Sequence, residues 1–410
     1  MKFVSSLAIA ASLIVGGAGA TAAFAQQNAK GQAAPAPQRQ VKLSNEAKKA
    51  IGELQAAVTA NAPDYAQRLA AAQAVAKSTD DRYYIARLQL DHASNIKDNA
   101  AVVAAAEAII ASGGADAAET DRLRRGIASA AAGTGDWARA EAQYAALSAA
   151  APNDVDLLLA LARTKIGLNK QGEALPLYQR AIQASKAAGQ KPEEGVLQNV
   201  IKMALEQKNS ALALEAAREA VTLYPNKRNF QNLVAVSNVG GDDATVLDFA
   251  RLRYMSGLLG SGRDYLALAE RLDYDNFPGE AKAVLEAASR AGQSTGPQGA
   301  ALLTKVNGRI AEDRAALSTV EPKARSAANG SMALSLATAH AGYGNFAKAI
   351  ELYQLALQKG GVDADTVRTR LGIAYAQAGQ RAEAEAAFRA VTGPRAGLAG
   401  LWLAWLSQQG

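Results

Sequence analysis

The chain has 410 residues, no cysteine, two histidines and a formal net charge of +6. The absence of cysteine excludes disulfides, thiolate nucleophiles, cysteine metal sites and the lipidated cysteine of a bacterial lipoprotein. The excess positive charge is local, because Lys30, Arg39, Lys42, Lys48 and Lys49 stand against Glu46 alone in residues 26–50. The rest of the chain is close to neutral, so its basic pI does not indicate a nucleic-acid-binding surface.

At the N-terminus, Lys2 precedes a mostly apolar run from Phe3 to Val15, and small residues then lead to Ala23-Phe24-Ala25. This order of positive, apolar and A-x-A segments predicts a signal peptide over residues 1–25, cleaved after Ala25. An uncleaved anchor is the alternative, although the run is short of the roughly 20 residues that a span needs. No later stretch is long and apolar enough to span, so the mature chain is expected to be periplasmic or secreted, without an integral membrane span. Residues 26–44 are rich in Gln, Ala and Pro, a composition that cannot bury a core and reads as a flexible basic linker.

From Leu43 onward, alanine-rich stretches alternate with breaks such as Gly113-Gly114, Gly133-Thr134-Gly135, Gly240-Gly241 and Gly360-Gly361. Strong helix formers dominate the stretches, and strand-type alternation is almost absent. The class predicted is all-α. Residues 45–120 are helical with an uncertain repeat phase. In residues 121–392 a phase can be followed through Ala140, Ala174, Ala213, Leu247, Ala281, Ala315, Ala349 and Ala384. The steps are 34 residues, except one of 39 around Lys191-Pro192 and a last one of 35. Small residues at these places let two antiparallel helices cross closely, and Tyr144, Tyr178, Tyr353 or Phe388, one turn later, fill the space beside them. The short connection inside each pair requires positive φ, which Gly, Asn and Asp tolerate. Pro176 interrupts a second helix and is expected in its first turn, where the missing N–H costs little.

With those residues in place, the chain resembles the tetratricopeptide repeat family, whose unit is a 34-residue helix-turn-helix. The resemblance is good in residues 121–225 and 330–392, moderate in 262–292, and reduced to spacing and texture in 228–258 and 296–325. It implies an α-solenoid of antiparallel helix pairs, a superhelix, with a capping helix over residues 393–410. It also implies a non-catalytic scaffold whose first helices line a groove for a protein or peptide partner, here in the bacterial cell envelope. On those helices Arg122, Arg125, Arg163, Asn199 and Lys202 form a candidate basic stripe for an acidic segment or a C-terminal carboxylate. Ordinary solvated helix charges are the other reading, and the family's carboxylate-clamp pattern is not reproduced. In the last segment Leu398, Leu401, Trp402, Trp405 and Leu406 share one apolar face. That face either caps the array or offers a partner or homo-oligomer contact. A tether that uses the basic arm to hold anionic glycan or lipid is the alternative function.

The motifs that suggest chemistry have plainer explanations. Ser94-Asn95-Ile96-Lys97 has the S-x-x-K spacing of penicillin-binding enzymes without their companion elements. Gly257, Gly260 and Gly262 are in the wrong order for a dinucleotide loop. Asp80-Asp81, Glu193-Glu194 and Asp242-Asp243 precede helices, where acids cap N–H groups. His92 is expected to be solvated or at a helix end, and His340 in a core. No cofactor, metal or catalytic residue is assigned.

Overall fold

The computed structural model describes residues 41–409, so the signal segment and most of the linker lie outside the described residues. The chain divides into two compact units, one ending at Gln190 and the other beginning at Lys191. No helix among the described residues is long and apolar enough to cross a membrane.

The first unit holds α1 (Asn45–Ala60), α2 (Tyr65–Val75), α3 (Thr79–Asn95), α4 (Asn99–Ser112), α5 (Ala117–Thr134), α6 (Trp137–Ala150), α7 (Val155–Gly167) and α8 (Gln171–Ala187). They pack as consecutive antiparallel pairs, with α4 also resting on α5 and α6 on α7. The starts follow from capping: Asp98, Asp116, Asp136 and Asp154 each accept a hydrogen bond from the backbone N–H three residues on, which satisfies a donor that the helix leaves unpaired.

The turn inside a pair repeats a single backbone device. Lys97, Gly135 and Asn169 have φ of 58°, 80° and 58° and connect α3 to α4, α5 to α6 and α7 to α8. A left-handed residue reverses the chain within a few positions, and it is inexpensive for Gly or Asn but costly for Lys. Ser94 lies just before one of these turns, with its hydroxyl donating to the Leu90 carbonyl at 2.7 Å.

The second unit contains α9 (Glu194–Glu206), α10 (Ser210–Leu223), α11 (Lys227–Val236), α12 (Asp243–Met255), α13 (Gly262–Tyr274), α14 (Pro278–Arg290), α15 (Gly296–Ser326), α16 (Ser331–Gly342), α17 (Phe346–Lys359), α18 (Ala364–Gln377), α19 (Arg381–Arg389) and α20 (Ala396–Ser407). The same device recurs at Lys208, Asn276, Gly344 and Gly379, inside α9/α10, α13/α14, α16/α17 and α18/α19. Gly257, Gly260 and Gly262 form the approach to α13, and a Cβ on Gly262 would lie 1.7 Å from the Ser294 carbonyl oxygen.

The small-residue anchors behave as close helix crossings. Ala140, Ala174, Ala213, Ala281, Ala349 and Ala384 are all 0% exposed. Tyr178, Tyr353 and Phe388 are buried beside them, whereas Tyr144 is only partly covered. Ala315 departs from the expectation, because it is exposed in the middle of the 31-residue helix α15. No left-handed residue breaks that segment, so one continuous helix stands where spacing suggested a pair. Val306 of α15 joins the core of α13 and α14, while Leu317, Val320 and Ala324 join that of α16 and α17. Residues 228–258 differ in another way: α12 packs on α13, α18 and α20 in place of α11, and α11 packs on α10 and α20. Pro176 is the sixth residue of α8, in its second turn rather than its first. Its ring gives up the backbone bond to the Gly172 carbonyl, yet the helix continues to Ala187.

Candidate functional site

In the first unit the sequence-predicted stripe falls on first helices. Arg122 and Arg125 are exposed on α5, and Arg163 is exposed on α7. Arg125 Nε donates to Asp121 at 2.8 Å, and Nη2 reaches the α7 cap Asp154 at 3.5 Å. Its charge is therefore partly balanced. Arg122 and Arg163 have no ion pair or hydrogen bond with any described residue. Tyr144 of α6 joins this face: burial pushes its phenol up, and Arg125 and Arg163 oppose that rise. Asn199 and Lys202 are exposed on α9 of the second unit, with Lys202 3.8 Å from Glu206.

Leu398, Leu401, Trp402, Trp405 and Leu406 are all buried within the second unit, whose helices α19 and α11 pack on α20. Trp402 stacks on Phe388 with ring centres 5.8 Å apart, and Trp405 meets it edge-on at 5.5 Å. The Trp402 indole N–H has no partner.

The acidic pairs serve helix starts and local ties. Asp81 closes a capping box with Ser78 and also accepts from the Ser44 N–H at 2.9 Å and the Ser44 hydroxyl at 2.8 Å. Burial would raise its carboxyl, but the hydrogen bonds from Ser78 and Ser44 outweigh it and hold the group well below the usual carboxylate range. Glu194 accepts from the amides of Asn226 and Asn229. Asp242 caps α12. His92 ends α3 and stacks on Tyr65 at 3.5 Å. His340 is half-buried, rather than fully in a core, with Nε2 shielded and without a partner. Burial pushes its pKa down.

A second site carries no sequence signal of the kinds used above. Asp248, on α12, is 0% exposed and accepts from three guanidinium groups. Arg251 Nη1 donates at 2.7 Å, Arg370 Nε donates to both oxygens at 3.2 and 3.3 Å, and Arg395 Nη2 donates to Oδ2. Arg251 also grips Glu280 of α14 through Nε at 2.8 Å and Nη2 at 2.6 Å. Arg395, at the N-cap of α20, donates from Nη1 to Thr245 at 2.8 Å. Burial opposes the Asp248 charge, but the three arginines overcome it and hold its carboxyl below the usual range. Three buried cations thus share two carboxylates, Asp248 and Glu280, while Asp242 stands 3.6 Å from Arg395 at the exposed edge.

Beside this cluster, α12, α14, α16, α17 and α18 enclose a pocket of about 220 Å³. Tyr254, Met255, Phe346, Tyr353 and Ile373 give it apolar and aromatic walls, and Arg251, Glu280 and Arg370 lie along one side. The Tyr353 hydroxyl is held 3.1 Å from the Thr338 hydroxyl. Sequence reading missed this site because Asp248 and Arg370 are 122 positions apart and Asp248 and Arg395 are 147 apart. Only the i,i+3 pairing of Asp248 with Arg251 was visible, and that spacing is common on solvated helices.

The sequence matches no protein-family model and no curated protein. Among solved structures, 134 chains match it. One is from the structure of Naa15/Naa10 bound to HypK-THB, with 13% identity and a TM-score of 0.28, covering 86% of this chain. The chain spans 65% of the length of that structure's chain.

Proposed function

We propose that the protein is an exported, non-catalytic tetratricopeptide-type scaffold of the bacterial cell envelope, which binds an acidic segment of a protein partner through its first unit. The observation that carries this reading is the pair Arg122 and Arg163. Both are exposed on first helices, and neither is neutralised by an acid among the described residues. Unpaired guanidinium groups on neighbouring helix pairs can engage carboxylates in a fork-to-fork manner, and Tyr144, beside Arg125 and Arg163, adds a flat, partly apolar surface. Arg125, tied to Asp121 and Asp154, orients the edge of the face and contributes less charge.

The test is affinity capture from an envelope fraction with the chain beginning at Gln26, beside an Arg122→Gln, Arg163→Gln double variant. The parent should retain a specific acidic partner, and its capture should weaken as salt rises. The double variant should lose that partner at unchanged helix content. Equal capture by both proteins rejects the arginine face. Export is checked separately: the protein recovered from the envelope should begin at Gln26.

A further inference from the structure

We infer that the pocket in the second unit is a binding site for a small amphipathic carboxylate, an aromatic or alkyl acid whose charged end meets Arg370. The inference is independent of the arginine face of the first unit.

Unused donors argue for the occupant. The cluster beside the pocket holds Arg251, Arg370 and Arg395 against the buried Asp248, the partly buried Glu280 and the exposed Asp242. The Arg251 nitrogens all have carboxylate partners, and Arg395 turns toward Asp248 and Thr245. Arg395 Nε is buried without a partner but does not line the pocket, so the unused capacity that the pocket can reach is on Arg370. Its Nε is spent on Asp248, while Nη1 and Nη2 make no hydrogen bond with any described residue and are not fully buried, and Arg370 lines the pocket. The Arg370 side chain is only 11% exposed, so Asp248 anchors it and little entropy remains to be lost on binding. Two adjacent N–H groups on a fixed plane match the two oxygens of a carboxylate.

The remaining walls select what carries that carboxylate. Tyr254, Phe346 and Tyr353 give aromatic lining, and Met255 and Ile373 add apolar lining. A pocket lined mainly by apolar groups, with one oriented charged fork, is the usual composition of a small-molecule site. An ammonium ligand would face the guanidinium groups of Arg251 and Arg370, and a neutral one would leave the Arg370 donors without a partner.

The probe is 3-phenylpropionate, titrated calorimetrically into the full mature chain beside 3-phenylpropanamide and a hexapeptide with a free C-terminal Phe. The acid should bind in about the millimolar range or tighter. It should exceed the amide by roughly ten- to a hundred-fold. Arg370→Lys keeps a cation beside Asp248 but loses the fork, and should weaken the acid by about ten-fold while leaving the amide unchanged. Ile373→Trp puts a larger side chain in the pocket lining and should abolish binding of both, which keeps the test decisive if the Arg370 variant is destabilised. The inference is overturned if acid and amide bind alike, or if neither binds at about 10 mM. It is also overturned if both folded variants bind as the parent does, or if only the peptide binds.

Discussion

Replacing Asp248 by asparagine keeps the shape of the side chain and removes its charge. In the parent, this 0%-exposed carboxylate is the common acceptor of Arg251, Arg370 and Arg395. The substitution leaves three largely covered guanidinium groups with only Glu280 and the exposed Asp242 as acidic partners. Breaking a buried ion pair by removing one partner costs about 3–5 kcal/mol, because the remaining charge stays desolvated without compensation. A unit of this length shifts its melting temperature by about 2–4 °C per kcal/mol, so a fall of roughly 6–20 °C is expected for the second unit. Thermal unfolding followed by circular dichroism reads the shift. Asp242→Asn is the control, since Asp242 is 67% exposed and asparagine caps a helix as well as aspartate does. It should stay within about 1 kcal/mol of the parent. The Asp248 carboxyl has a depressed pKa in the fold, so its stabilisation is complete above the ordinary carboxylate pKa and is lost as pH falls below it. The variant should therefore have a shallower acid limb. A loss under about 1 kcal/mol for Asp248→Asn, with an unchanged acid limb, refutes the reasoning.

Other outcomes follow from the same structure. Trp402→Ala removes a 0%-exposed ring stacked on Phe388 and should cost about 3–5 kcal/mol; sedimentation beside circular dichroism separates lost helix content from lost self-association. Lys208→Gly relieves a left-handed lysine at φ 57°. Relief of about 1–2 kcal/mol less the glycine entropy of about 0.5–1 kcal/mol leaves a gain near 0.5 kcal/mol, measurable by urea unfolding. His340 is held neutral by burial, so acidification below about pH 6.5 should destabilise the parent more than His340→Gln. Asp81→Asn should loosen the tie between Ser44 and α3, seen as faster hydrogen exchange at the Ser44 and Ser78 amides.

The helix pairs were legible because everything that makes them is local. Alanine at the crossing, an aromatic one turn later and a residue able to take positive φ all lie within one unit of sequence, so Ala140, Ala349 and Ala384 could be placed on buried contacts by counting. Counting failed at Ala315. The same texture without a left-handed break also builds one long helix, and only the cores on either side of α15 decide that it bridges two pairs. The exposed arginines of α5 and α7 were legible as helix-surface charge. Their partners were not, because Asp154 reaches Arg125 only after two helix pairs have stacked. The pocket was illegible for a stronger reason. A single aspartate on α12 reads as a solvated residue until folding brings Arg370 and Arg395 to it from more than a hundred positions away. Helix propensity and turn chemistry act over a few residues and are written in order along the chain. The burial of three cations around one carboxylate depends on desolvation and distance, and these exist only once the helices have packed.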